Sequence, residues 1–329
     1  MEQDEFIAIF GVWEEARPYL HLMVNQAEMD LVVAIGDQAV TIDEAAALLG
    51  IGHAEAAALL SRCYSRCIVN KSVTDGVVRY STASFGDLVD YFARYENWDN
   101  IPAGDRKRIN RRFLDEFIAR HRPNVERKAQ GLSPGNALPN DTVMLLSEIE
   151  EMLDHATHIV VQPCDCRRLG QNCERPTETC VWLDQGALEA LERGHGRRLT
   201  RQEAKDLVRQ ADKKGLMHTA DSQWRTRGLH AICNCCACDC YPFLAAQELG
   251  SQGVWPKSRY VAVHDPGACN LCGACVKRCH FGAFYHDGPG HEIEGKTRAN
   301  VLFNPDKCWG CGLCANTCPA GAIVMERLE

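Results

Sequence analysis

Two identical runs of four cysteines limit what this chain can become more than any other feature. Cys269, Cys272, Cys275 and Cys279 have the spacing C-x2-C-x2-C-x3-C; Cys308, Cys311, Cys314 and Cys318 repeat it, with Pro319 after the last. Spacings this short let three thiolates from one loop surround one face of a compact metal centre. The fourth, offset on a short helix, points away from that centre. The repeat extends beyond the cysteines. A short apolar strand (260–263; 300–303) precedes each run, and a Gly-Ala pair (Gly282 and Ala283; Gly321 and Ala322) follows. The chain holds 19 cysteines in 329 residues, too many for an ordinary cytosolic enzyme and spread over too long a chain for a small disulfide scaffold. The N-terminal MEQDEFIAIF carries acid where a secretory signal needs a basic region, and nowhere do about 18 apolar residues run together. The expectation is a cytoplasmic protein without a membrane span, whose clustered thiols bind metal.

Residues 260–329 resemble a bacterial-type two-[4Fe–4S] ferredoxin. In such proteins the fourth cysteine of each run ligates the other cluster. This assigns cluster I to Cys269, Cys272, Cys275 and Cys318, and cluster II to Cys308, Cys311, Cys314 and Cys279. A pair of zinc sites is the competing reading, but four-cysteine zinc sites use two C-x2-C knuckles separated by a longer loop. Two departures stand out: His280 replaces the proline expected after Cys279, which predicts a looser turn, and the segment between Cys279 and Cys308 is long. That segment reads as a solvated hairpin or as a partner-docking flap. Phe281, Phe284, Phe303 and Trp309 read as plain core or as a shield keeping water from the sulfurs.

A second block holds Cys164, Cys166, Cys173 and Cys180, then Cys233, Cys235, Cys236, Cys238 and Cys240 in the string ICNCCACDC. Nine thiols suffice for two four-cysteine clusters with one left over. Alternation along an extended segment places Cys233 and Cys235 on one side and Cys236, Cys238 and Cys240 on the other. The expectation is one or two further [4Fe–4S] clusters, with Cys164, Cys166, Cys180, Cys233, Cys235, Cys236, Cys238 and Cys240 as ligands and Cys173 as the spare. A structural zinc site is the alternative. Asp239 reads as a surface residue or as a weak oxygen ligand, and His218 as structural or as a donor behind the ligands. Arg167 and Arg168 read as a solvated loop or as cations beside a cluster.

Residues 1–100 carry 16 Asp and Glu against 6 Lys and Arg, a net of −10. Thr41 with Glu44 makes a capping box for one helix, and a second helix runs from about Ala54 to Cys67. A hairpin turning at Asp75 and Gly76 follows, then a helix from about Gly86 to Tyr95. Helix, helix–turn–helix and hairpin are the order of a winged helix. The charge argues against nucleic acid, since non-specific affinity comes from Lys and Arg on phosphates. Arg62 and Arg66 are the only bases of the would-be recognition helix, and its Cys63 and Cys67 read as buried small residues. The basic run 105–112 reads as a solvated helical face or as a docking site for an acidic partner. Helices are predicted over 142–155, 184–193 and 200–213, a strand over 157–162, and a loop over 131–141. No phosphate-binding P-loop, dinucleotide fingerprint, radical-SAM run or hydrolase signature occurs.

The whole chain is similar to multi-cluster iron–sulfur proteins of anaerobes, with a winged-helix-like N-terminus and a CNCC-type middle before a two-cluster ferredoxin. The resemblance implies electron transfer to or from a partner oxidoreductase. The predicted class is α+β: a mainly helical N-terminal half with a winged-helix-like domain (1–100), a helical connector (101–160), a central cysteine-rich domain (161–258) and the ferredoxin-type domain (259–329). The expected partner is a redox protein, with self-association through the N-terminal domain as a further expectation. Two alternatives stand beside the carrier: a reductase whose central cluster acts on a substrate, and a redox-sensing transcriptional regulator.

Overall fold

The computed structural model describes residues 2–133, 135, 138–293 and 296–328. Helices and strands are mixed along the chain, as an α+β class requires. Contacts divide it into two compact units: Met1–Glu116 with Cys164–Gln171 and Ala190–His195, and Phe117–Pro163 with Asn172–Glu189 and Gly196–Glu329.

In the first unit, local sequence signals set the helix ends. The Thr41 hydroxyl accepts from the Glu44 N–H at 3.2 Å, and the Glu44 carboxylate accepts from the Thr41 N–H at 2.7 Å. That helix, Ile42–Leu49, stops at Gly50 in the left-handed conformation. Helix His53–Ser65 buries Ala56, Leu59, Leu60 and Cys63. It ends two residues before Cys67, whose φ is 57°. Strands Val69–Thr74 and Val77–Thr82 then pair around Asp75 and Gly76, both with positive φ, the demand of a two-residue hairpin of type I′. Ser84 and Asp87 cap helix Phe85–Tyr95. Phe6, Leu20, Met23, Leu31, Ile35, Leu60, Phe92 and Trp98 fill the core. The basic run 105–112 is a solvated helical face: Arg111 pairs with Asp115 at 2.5 Å and Arg112 with Glu116 at 2.9 Å, while Ile109 alone turns inward to full burial.

His195 is 5% exposed, its Nε2–H donates to the Ser65 carbonyl at 2.6 Å, and its ring stacks on Tyr95 at 4.8 Å. Burial lowers its pKa to about 4, with Arg94 and Arg193 pushing the same way. Unfolded histidine titrates near 6.5. Between those values the unfolded chain binds a proton that the folded unit refuses, so stability falls as pH drops from about 6.5 towards 4 and levels off below. Unfolding curves against pH should show this slope, and His195→Asn should flatten it; an unaltered slope would contradict the buried neutral ring.

The second unit is built on a six-stranded antiparallel sheet. Its strands lie in the order Thr142–Met144, Met217–Ala220, Ala231–Cys235, Glu178–Leu183, Ile159–Pro163 and Arg197–Arg198. Helices Leu146–His155 and Arg201–Lys213 cover one face, burying Ile149, Met152, Leu153, Ala204 and Val208 against Val161, Val181, Leu183 and Ile232. Thr200 and Glu203 cap the second of these helices in a reciprocal box. One expectation needs correction. The helix predicted from Thr142 begins only at Leu146, because Thr142, Val143 and Met144 pair with Ala220, Thr219 and His218. Part of the predicted loop 131–141, namely Pro134, Asn136 and Ala137, lies outside the described residues.

The C-terminal repeat folds as strand, cysteine loop, short helix, twice. Strand Tyr260–His264 pairs antiparallel with Ile323–Arg327, and Phe284–His286 pairs with Val301–Phe303. The long segment between the runs carries a small hairpin, His291–Ile293 against Lys296–Arg298, with Glu294 and Gly295 outside the described residues. Arg259 donates to Glu148 at 2.7 Å and Gln252 to the Asp306 carbonyl at 2.9 Å, joining this region to the sheet region of the same unit.

Candidate metal centres

Each C-terminal run places its first three cysteines around one short helix and its fourth at that helix's end. The helices are Ala274–Arg278 and Leu313–Thr317, with Cys279 and Cys318 as their C-terminal caps. The Cys311 thiol is pushed up to about 12 by burial, with Cys308 and Cys279 adding to the rise. Burial also raises the Cys314 thiol, and Cys311, Cys308 and Cys279 add to it. The fourth cysteine of the first run therefore interacts with Cys311 and Cys314 of the second. Cys275, raised to about 11 by burial, is near Cys269 and Cys272. Such thiols stay protonated until a cation takes the proton's place.

These residues fit [4Fe–4S] clusters. Eight thiols stand in two sets, and backbone N–H groups point at them: Leu271 at Cys269 (3.4 Å), Ala283 at Cys279 (3.2 Å) and Gly310 at Cys308 (3.4 Å). Donors of this kind help set a cluster's potential. Ala262, Phe284, Val301 and Ile323 pack with Cys275 and Cys314, and Phe303 and Cys279 border them, so the sulfurs lie in apolar surroundings. His280 does not loosen its turn, because its Nε2–H donates to the Gly215 carbonyl at 2.6 Å.

Gly310 shows how tight the second loop is. It has φ 65°, and a Cβ there would stand 2.2 Å from the Tyr260 carbonyl oxygen. Gly310→Ala should destabilise this region by at least about 1–3 kcal/mol from backbone strain alone. The clash adds to that. Loss of the cluster chromophore on heating should come earlier in the variant; an unchanged loss temperature would contradict the close approach.

The central cysteines separate into three groups. Cys180 and Cys233 sit side by side on adjacent strands, and Cys235 lies two residues along from Cys233 on the same face. The Cys233 thiol is within hydrogen-bond reach of both, and Asn140 Nδ2 reaches its Sγ at 2.9 Å. On the opposite face Asn234 binds His218 Nδ1 at 2.7 Å and the Thr179 carbonyl at 2.7 Å, so His218 is buried in the sheet's polar core.

The second group is Cys173, Cys236 and Cys238, whose sulfurs all lie within 4.8 Å of one another. The sequence reading sets Cys173 aside as the spare, whereas the fold brings it to Cys236. The alternation expected beyond Cys235 also fails. The strand ends there, residues 237–239 turn, and the Cys240 N–H donates back to the Cys236 carbonyl at 3.3 Å. Cys240 accordingly packs with Cys235, away from Cys236 and Cys238. Asp239 is no surface residue: it is 1% exposed, and its Oδ1 accepts from the Asn172 N–H (3.1 Å) and Nδ2 (2.8 Å). A local signal for this pairing is absent, since 63 residues separate Cys173 from Cys236.

The third group, Cys164, Asp165 and Cys166, belongs to the first unit at the start of helix Asp165–Gly170. Arg167 and Arg168 are not a solvated loop. Arg167 is 2% exposed, and Arg168 Nε donates to the Ala93 carbonyl at 3.0 Å. Cys63 is fully buried and Cys67 partly so.

Cys311 also faces the sheet. It borders an apolar cluster of Val143, Met217, Cys235, Cys240, Phe243, Trp309 and Leu313, which Cys233 and Phe281 border too. Phe281 stacks on Trp309 at 4.6 Å, and Phe243 meets Trp309 at 5.1 Å.

A family model described as a 4Fe–4S dicluster domain matches residues 268–322. Searches of curated proteins and of solved structures found no match. The match and the cysteines together support an iron–sulfur protein that binds [4Fe–4S] clusters in its C-terminal region and has an electron-transfer role in general terms. Among the described residues no helix is long and apolar enough to cross a membrane.

Proposed function

We propose that this chain relays single electrons between its C-terminal clusters and a further cluster in the central region, to or from a partner oxidoreductase of anaerobic metabolism. A [4Fe–4S] cluster supplies a one-electron couple whose potential follows its charge, hydrogen bonds and burial. Cys269, Cys272, Cys275 and Cys318 hold the first, and Cys308, Cys311, Cys314 and Cys279 the second. Cys180, Cys233 and Cys235 supply thiolates to the third; Cys164 and Cys166 are a separate donor pair in the first unit.

The observation that carries the reading is the apolar cluster that contains Cys235 and is bordered by both Cys311 and Cys233. Trp309, Phe281 and Phe243 pack ring against ring in this cluster, apolar surroundings that would keep water from the thiols.

Residues 1–100 then serve as a winged-helix-like docking region. Their charge of −10 and the engagement of Arg66 with Glu28 and Glu96 leave little base for phosphates, which disfavours the regulator. The test is iron and sulfide per chain in protein purified without oxygen. About twelve irons are expected, and Cys233→Ala should remove about four of them. Only eight in the unsubstituted protein would contradict the third cluster.

A further inference from the structure

The spacing of thiols differs between the two ends of the second unit. Among the described residues, neither C-terminal run brings three sulfurs within 4.8 Å of one another, whereas Cys173, Cys236 and Cys238 do. The ligands of a single ion all stand close to one another. In a tetrahedral site with zinc–sulfur bonds of about 2.3 Å, sulfurs lie about 3.8 Å apart; with zinc–oxygen bonds of about 2.0–2.2 Å, sulfur and oxygen lie about 3.5–3.7 Å apart.

The distances among Cys173, Cys236 and Asp239 follow that pattern, and Cys238 Sγ lies within 4.8 Å of the other two sulfurs. Cys173 Sγ and Cys236 Sγ are 3.8 Å apart. Asp239 Oδ2 is 3.4 Å from Cys173 Sγ and 3.8 Å from Cys236 Sγ. Oδ1 of the same carboxylate is held by both donors of Asn172, which turns Oδ2 towards the sulfurs, the arrangement expected of a carboxylate oriented as a metal ligand. A carboxylate that is 1% exposed among thiols is costly to bury unless a cation balances it. From this geometry we infer that Cys173, Cys236, Cys238 and Asp239 form a mononuclear zinc site with three thiolate ligands and one carboxylate. Four anionic ligands around Zn²⁺ leave a net charge of −2, and Arg175, with Nη1 3.5 Å from Cys238 Sγ, partly offsets it.

The site ties residues 172–175 to the turn at 237–239, directly after the strand that carries Cys233 and Cys235. Zinc has no redox chemistry of its own, so its task is to fix that strand end, and binding energy at such a site is folding energy. The inference does not depend on the electron relay, because zinc and iron are counted separately in one sample.

The experiment measures both metals by mass spectrometry in protein purified without oxygen, then in Cys236→Ser and Asp239→Asn. One zinc per chain is expected, absent from Cys236→Ser, with the eight irons of the C-terminal clusters retained. Asp239→Asn keeps the three thiolates and the carboxylate's shape, and should lose zinc to a chelator at least tenfold faster. If Cys236→Ser does not fold, cobalt(II)-grown unsubstituted protein decides: tetrahedral thiolate–cobalt absorption that Asp239→Asn shifts supports the site. Zinc-free protein, iron in its place, or zinc indifferent to both substitutions would overturn it.

Discussion

Cys279→Ala should remove about four irons, and the cluster it removes should be the one held by the second cysteine run. Cys279 lies in the first run by sequence, yet its thiol interacts with Cys311 and Cys314 of the second. It caps the C-terminal end of helix Ala274–Arg278. A double substitution separates this exchange from the alternative in which each run serves its own cluster. With exchange, Cys279→Ala combined with Cys308→Ala takes away the same cluster twice, so iron drops no further than in either single variant. Without exchange the pair takes away both, and about eight irons go. Cys318→Ala combined with Cys269→Ala should behave like the first case. Iron and acid-labile sulfide per chain read the outcome, and additive losses in both pairs would contradict the assignment.

Arg66→Ala should unfold the first unit far more readily. Glu28 is fully buried, and its two oxygens accept from Arg66 Nη1 at 2.5 and 2.6 Å. The same guanidinium donates to both oxygens of Glu96, at 2.8 and 2.9 Å, and to the Met23 carbonyl at 2.7 Å. These carboxylates hold the Arg66 pKa above its ordinary value despite burial. Removing the cation strands a buried carboxylate, at a cost of about 3–5 kcal/mol. That should lower the unit's unfolding midpoint on the order of 10–20 °C. Lysine should rescue poorly, since it cannot present the planar fork to two carboxylates. Combining Arg66→Met with Glu28→Met should recover much of the loss, because a buried pair replaced by apolar groups leaves no orphan charge. A midpoint within a few degrees of the unsubstituted protein for Arg66→Ala would show that Glu28 finds another partner.

What could be read from the sequence was local. Within each C-terminal run the cysteines lie within a few residues of one another, so their spacing exposes the two runs. The same holds for the boxes Thr41 with Glu44 and Thr200 with Glu203, and for the turn at Asp75 and Gly76. The six-stranded sheet was not legible, apart from the strand at Ile159–Pro163 and the extended stretch that carries Cys233 and Cys235. Its other strands are short and carry His218 and Cys180 where an alternating apolar pattern would announce them. Thr142 resembles a helix cap, and only its pairing with Ala220, 78 positions along the chain, makes it a strand. The same limit hid Cys173 and Asp239, which acquire their roles from the turn that follows Cys235 and from Asn172. His280 is a milder case: its departure from proline is visible, but its anchor at the Gly215 carbonyl is not.

The central claim is that the C-terminal thiolates hold iron and inorganic sulfide in a form that accepts and returns electrons. The most direct measurement is the metal and sulfide content of oxygen-free protein, taken with its visible absorbance before and after a chemical reductant. The account expects at least about eight irons and as many sulfides per chain, with a broad visible band that bleaches on reduction and returns on reoxidation. Colourless protein with zinc filling the C-terminal runs, and nothing to reduce, would contradict it.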